Sequence, residues 1–216
     1  MNIGTRLIAA ATLIAATLIV APATANAGGP GCPDTYTFGV GGFEINGGGT
    51  GQTSTYIPAD QPVGYNSVDI TAGVNELDRL FHAYRNRCPG THLKMLGHSG
   101  GAAVVHVWVS QHQTEPNATA ILLSDPKRTA GPGGPGIAAN PLAVPADLLG
   151  LFRGAAGVDA NFGAFPVLTV CNAGDWVCNE SAGMWGYLTT GVHGKYDLNP
   201  RNYPNFVRGN WFPPVY

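Results

Sequence analysis

Residues 92–113 constrain the fold more than any other stretch of this chain. His92-Leu93-Lys94-Met95-Leu96-Gly97-His98 is a short, mostly apolar run bounded by glycine, which predicts a buried strand. It leads straight into Gly100-Gly101-Ala102-Ala103, after which Val104, Val107 and Trp108 share one helical face, and a helix is expected over residues 100–113. A strand that passes into a helix through one residue needs a sharp turn. The glycines at 97, 100 and 101 leave room there for neighbouring backbone.

The rest of the chain extends this unit. Residues 35–40 alternate and carry aromatics, which predicts a strand ended by Gly41 and Gly42. Val68, Ile70, Val74, Leu77, Leu80, Phe81 and Tyr84 recur at helical spacing over residues 67–87, with Asn66 or Ser67 as the N-cap. Residues 118–124 and 166–170 read as further strands. Strands alternating with helices imply a parallel sheet covered by helices. Residues 127–164, rich in Gly, Pro and Ala, are too long for an ordinary connection and suit a functional loop. The C-terminal Trp211-Phe212-Pro213-Pro214-Val215-Tyr216 reads as a tail laid on the surface.

The composition narrows the partners. The net charge of -2 lacks the basic excess that a phosphate backbone demands, so nucleic acid is not an expected partner. A hydrophobic content of 44% excludes a solvated disordered chain. At the N-terminus Arg6 precedes an apolar run over residues 7–21, and Ala25-Asn26-Ala27 has the small-x-small pattern of a cleavage site. Residues 1–27 therefore read as a secretory signal peptide and residues 28–216 as a single exported domain; the competing reading is a retained anchor. Export makes the four cysteines, Cys32, Cys88, Cys171 and Cys178, candidates for two disulfides, with three pairings possible. Pairing Cys32 with Cys88 would close a long loop, worth about 4 kcal/mol in the loop-entropy model. The cysteine spacings do not suit zinc, and no metal site is expected.

The turn itself carries the chemistry. Gly97-His98-Ser99-Gly100-Gly101 matches G-x-S-x-G between a strand and a helix, the setting in which a serine hydroxyl stands over strand ends as a nucleophile. The bland alternative is a glycine-rich turn with a solvated serine. A serine nucleophile needs a base and an orienting acid, in the order Ser, acid, His for this type of sheet. His106 and His112 fall in the following helix and face away from the serine, which leaves His193. Asp125, ending a strand in Ser124-Asp125-Pro126, competes for the acid's role with Asp175, between Cys171 and Cys178. Chain order favours Asp175.

These residues resemble the cutinase-like serine esterases, and equally the related PE-PPE-type hydrolase domain. The resemblance covers residues 30–200 and rests on the elbow, the C-x6-C loop holding an acid, and the following His193-Gly194-Lys195-Tyr196. It implies an α/β-hydrolase-like three-layer sandwich, with a central mainly parallel sheet flanked by helices. It also implies the pairs Cys32–Cys88 and Cys171–Cys178, a structural role for Asp125, and a Ser99–His193–Asp175 triad. The chain departs from the family's G-Y-S-Q-G elbow at His98 and Gly100. Gly100 N–H can still serve as an oxyanion donor. By analogy with the family's loop after the first strand, Phe43 N–H supplies the second donor, with Gly42 next.

The implied activity is cleavage of carboxylic esters, of lipid or acyl type, through an acyl-enzyme, without metal or organic cofactor. Transient contact with a lipid surface fits such substrates. Acyl transfer to cell-envelope lipids or sugars, or a catalytically silent secreted domain of the same fold, are the competing readings. Leu148, Leu149 and Phe152, in the apolar run of the long segment, are candidates for an acyl-binding surface.

Overall fold

The computed structural model describes residues 30–43, 56–129, 131–141, 154, 156–158, 161–206 and 208–212. Leu148, Leu149 and Phe152 lie outside them, as does the N-terminal segment read as a signal peptide.

Six strands form one sheet: β1 (Thr35–Val40), β2 (Gln61–Pro62), β3 (His92–His98), β4 (Ala118–Leu123), β5 (Val167–Val170) and β6 (Gly209–Trp211). Their spatial order is β2-β1-β3-β4-β5-β6, and every pairing is parallel. The helix α1 (Ile70–Arg87) lies between β2 and β3 in the chain, α2 (Gly100–Gln111) between β3 and β4, and α3 (Gly183–Thr190) follows β5. β3 and β4 are buried along their whole length, as central parallel strands covered on both faces must be.

Three layers result. On one face Phe38, Leu93, Met95 and Leu122 pack with Val74, Leu77 and Phe81 of α1 and with Trp108 of α2. On the other face Leu96, Ile121, Leu123 and Val170 pack against Tyr196 and Tyr203. The parallel sheet covered by helices expected from the alternation of elements is observed, and so is the three-layer α/β architecture that the resemblance implies.

Two local expectations are corrected. The N-cap of α1 is Asp69, whose Oδ1 accepts from the Ala72 N–H at 2.9 Å. Asn66 forms the preceding turn instead, its carbonyl accepting from the Asp69 N–H at 2.7 Å. Trp211, read with the residues after it as a surface tail, ends the edge strand Gly209–Trp211 instead, while residues 213–216 of that tail lie outside the described residues. The carbonyl of Trp211 accepts from the Cys171 N–H at 3.0 Å, while all three side chains are exposed, so no hydrophobic alternation marks the strand. β2, two residues long, gave no pattern either.

The disulfides are Cys32–Cys88, with Cα atoms 5.7 Å apart, and Cys171–Cys178, at 5.8 Å. The first ties the chain before β1 to the C-cap of α1. The second closes the loop after β5.

Glycine at the elbow is a steric requirement at two of its three positions. A Cβ on Gly101 would lie 1.8 Å from the Val40 carbonyl oxygen, and one on Gly97 would lie 2.5 Å from the Gly101 carbonyl oxygen. At Gly100 the nearest atom would be 3.6 Å away, an ordinary contact. Gly101→Ala is therefore expected to cost at least about 3 kcal/mol, the upper end for overpacking, whereas Gly100→Ala should be near neutral. Urea unfolding of both variants checks this, and equal stabilities would contradict it.

Candidate active site

The strands end in register. Val40 pairs with Gly97, His98 with Leu123, and Leu123 with Val170. The loops that leave these ends, at Gly41–Phe43, Ser99, Ser124 and Cys171–Asp175, consequently share one edge of the sheet, where parallel sheets place their ligands.

Ser99 stands at the tip of β3 with φ 58° and ψ -126°, a conformation that costs an L-residue roughly 1–3 kcal/mol. The surroundings enforce it. The Ser99 N–H donates to the Leu123 carbonyl at 3.0 Å, and the Ser99 carbonyl accepts from the Ala102 N–H at 2.9 Å, opening α2. Although Ser99 occupies the N-cap of α2, its side chain makes no capping hydrogen bond. The hydroxyl is thus held beside a helix N-terminus, whose dipole favours negative charge.

His193 lies in a 3-10 turn, Val192–Gly194. Its Nδ1 is 3.0 Å from Asp175 Oδ2 and 3.1 Å from Oδ1. Asp175 is fully buried and held from several sides. The Tyr196 hydroxyl donates to its Oδ2 at 2.8 Å, and the Val177 N–H donates to its Oδ1 at 3.1 Å. The Tyr196 oxygen in turn accepts from the Asn172 N–H at 2.8 Å. Burial pushes the Asp175 carboxyl up. Hydrogen bonds from His193, Ser124 and Tyr196, with the charge of His193, outweigh that and hold it below the usual carboxylate range. Ser124 reaches this cluster because it leaves β4 at φ 53°, with its Oγ 3.0 Å from His193 Nδ1.

Asp125 is placed elsewhere. Its Oδ2 lies 2.7 Å from Nδ1 of His106, and its Oδ1 accepts from the Lys127 N–H at 2.9 Å. The two acid–histidine pairs differ in access. Both side chains of the His106–Asp125 pair are 1% exposed, while His193 is 19% exposed beside a buried Asp175. The second pair thus offers the larger accessible imidazole surface.

His98 joins the two sides of the site. Its Nε2 lies 2.9 Å from the His193 carbonyl, which can only accept, so Nε2 carries the hydrogen. Its Nδ1 then accepts from the Tyr56 hydroxyl at 2.9 Å, and the Tyr56 oxygen accepts from the Gly42 N–H at 2.8 Å. This chain commits the Gly42 N–H to the Tyr56 hydroxyl. Gly42 also backs onto the elbow, since a Cβ there would lie 2.6 Å from Ser99 Cβ and 2.9 Å from the Gly100 nitrogen. His98, Ser124 and Tyr196 had sequence signals, in the elbow, in Ser124-Asp125-Pro126 and in His193-Gly194-Lys195-Tyr196. None of those signals revealed a bonding role.

Burial, with the nearby His193 charge, pushes the His98 imidazole down from 6.5 to about 4. The unfolded chain therefore takes up this proton first as pH falls. His98 lowers stability progressively from about pH 6.5 to about 4 and has no such effect above that window. The span of roughly 2.5 units bounds the loss at roughly 3 kcal/mol. His98→Gln, neutral throughout, should show a flatter decline of unfolding free energy from pH 7 to pH 4 than the parent. Parallel curves would contradict the assignment.

The comparisons with known proteins concern the family and the fold. The sequence profile of the cutinase family matches residues 15–208. Among solved structures, a cutinase-like protein from Cryptococcus sp. superposes with a TM-score of 0.51 at 18% identity, covering 76% of this chain and 91% of that one; the likeness is one of fold. A YdeN-like hydrolase from Pectobacterium atrosepticum gives a TM-score of 0.43 at 14% identity, covering 82% of this chain and 78% of that one. No curated protein matches the sequence. The chain belongs to the cutinase family and is a carboxylic ester hydrolase acting on small-molecule esters.

Proposed function

We propose that the protein is a secreted serine esterase that cleaves apolar acyl or lipid esters through Ser99, His193 and Asp175. The observation that carries this reading is the Asp175–His193 pair, 3.0 Å apart, at the strand edge where Ser99 presents a hydroxyl unused by its own helix. Ser99 Oγ attacks the ester carbonyl while Nε2 of His193 takes its proton. Asp175 keeps the hydrogen on Nδ1 and stabilises the imidazolium. The N–H groups of Gly100 and Phe43 receive the developing oxyanion. His193 returns the proton to the leaving alcohol and then activates water against the acyl-enzyme.

The surface around this edge supports an apolar substrate. The ring of Tyr187 in α3 lies 4.9 Å from that of His193, and α3 exposes Met184, Trp185 and Leu188. Phe43 is exposed as well. Such a cluster suits acyl chains and transient contact with a lipid surface. The N-terminal segment and two disulfides support export to an oxidising compartment.

Fluorophosphonate labelling with peptide mapping should place a single adduct on Ser99, and Ser99→Ala should abolish turnover of p-nitrophenyl esters. An adduct elsewhere would overturn the nucleophile.

The acids are separated by mutation. Asp175→Asn should fold yet lose up to about 10⁴-fold in kcat, because the imidazole adopts the wrong tautomer. Asp125→Asn should keep kcat and lose stability, by about 1–3 kcal/mol for a disturbed buried pair. A folded Asp125→Asn protein with the larger loss of kcat would reassign the acid.

A further inference from the structure

Four of the six histidines already have partners: His98, His106 and His193 as described, and His92, which bonds Asn117 and Thr119. The remaining two, His82 and His112, converge on one carboxylate of the helical layer. Nε2 of His82, four residues along α1, lies 3.2 Å from Asp78 Oδ1. Nε2 of His112, at the C-cap of α2, lies 3.0 Å from the same oxygen. The Trp108 indole N–H also donates to it, at 3.1 Å. Three nitrogens thus crowd an oxygen that offers two lone-pair directions.

The tautomer of His112 sharpens the conflict. Its Nδ1 lies 2.8 Å from the Trp108 carbonyl, which can only accept, so Nδ1 carries the hydrogen. Nε2 of the neutral ring is then a lone pair facing a carboxylate oxygen at 3.0 Å. Two acceptors at that distance require positive charge between them. A second proton on His112 would bridge one nitrogen–oxygen pair; a divalent ion would serve both imidazoles and the carboxylate at once.

We propose that Asp78, His82 and His112 bind a divalent transition-metal ion, with zinc the best fit. All three candidate ligand atoms lie within 4.8 Å of one another. In a tetrahedral zinc site with bonds of about 2.0–2.1 Å, ligand atoms stand roughly 3.3 Å apart. The two nitrogen–oxygen separations, 3.2 and 3.0 Å, already match. Two imidazoles and one carboxylate suit zinc, with water completing the shell. The surroundings are those of a metal site. The backbone carbonyl at Nδ1 orients the His112 ring and fixes the tautomer that ligates through Nε2. Trp108, fully buried and stacked on that ring at 4.1 Å, holds it in place, and its N–H steadies the carboxylate. Asp78 and His82 are 40% and 45% exposed, which gives the ion a path in. The ion would link the middle of α1 to the end of α2. Ser99 occupies the opposite end of α2, 13 residues from His112 and so roughly 20 Å away at about 1.5 Å per residue, so this site is structural and separate from ester cleavage.

The test uses the oxidised full-length protein, stripped with a chelator and desalted, with zinc chloride alone as the probe. Calorimetric titration at pH 7.5 should give one ion per chain. Cobalt in its place should show the visible absorption of a tetrahedral site, and saturating zinc should raise Tm by several degrees. His82→Gln and His112→Gln should each weaken binding at least tenfold, with folding verified by circular dichroism and esterase activity unchanged. His82 is only half-buried, so its variant keeps the test valid if His112→Gln fails to fold. No binding by the parent protein, or undiminished binding by folded His82→Gln, overturns the proposal; the second result would place the ion at another histidine.

Discussion

The end of β1 and the first turn of α2 meet backbone to backbone, and the edge that carries Ser99 is organised around that contact. No side chain separates them: the Gly101 Cα faces the Val40 carbonyl and Gly42 faces Ser99. Parallel register brings the two strand ends level, with Val40 opposite Gly97. Ser99 must then turn the chain within one residue, which accounts for its positive φ. Because the contact is made of main chain, it fixes the serine and the loop carrying Phe43 as one rigid piece. Side chains elsewhere can repack without moving either.

A second theme is how a chain with few charges handles those it buries. Asp125 and Asp175 both sit in the interior at the ends of successive strands. Each is satisfied by an imidazole and a backbone N–H, the pairing a buried carboxylate requires. The same chemical solution thus appears twice, one strand apart. Geometry sorts the two: the first takes its imidazole from the buried side of α2, while the second takes its own from a partly exposed loop turn. His98 illustrates a related economy. Its two nitrogens join the β1 loop to the backbone of His193, a link available to imidazole because it donates at one end and accepts at the other.

Much of this was legible in the sequence because it rested on local patterns. The elbow, the helix carrying Val74, Leu77 and Phe81, and the four longer strands announced themselves through periodicity and glycine placement. So did the order of Ser99, Asp175 and His193 along the chain. What stayed hidden depended on partners distant in sequence. β6 forms because Trp211 finds the main chain of Cys171, and exposed side chains leave no trace of such pairing. Asp69 caps α1 rather than Asn66 or Ser67 because Asn66 is consumed by the preceding turn, a choice between adjacent polar residues that propensity does not resolve. The convergence of His82 and His112 on Asp78 needs two helices packed side by side, so the spacing of four between Asp78 and His82 gave only half of it.

Lys94 sets the order in which this domain can be completed. It lies in the middle strand β3, buried, and its ammonium donates to the carbonyls of Pro200 and Tyr203, 106 and 109 residues further along the chain. Until that late segment arrives, the far face of the sheet presents a lysine with no such acceptors, among Leu96, Ile121 and Leu123 that lack their cover. A chain emerging from its N-terminus can form the elbow, α1 and α2, yet it cannot close its core. Closure waits for contacts of long sequence separation, which are slow to form. The far face of the sheet is thus closed last, by residues 200–203.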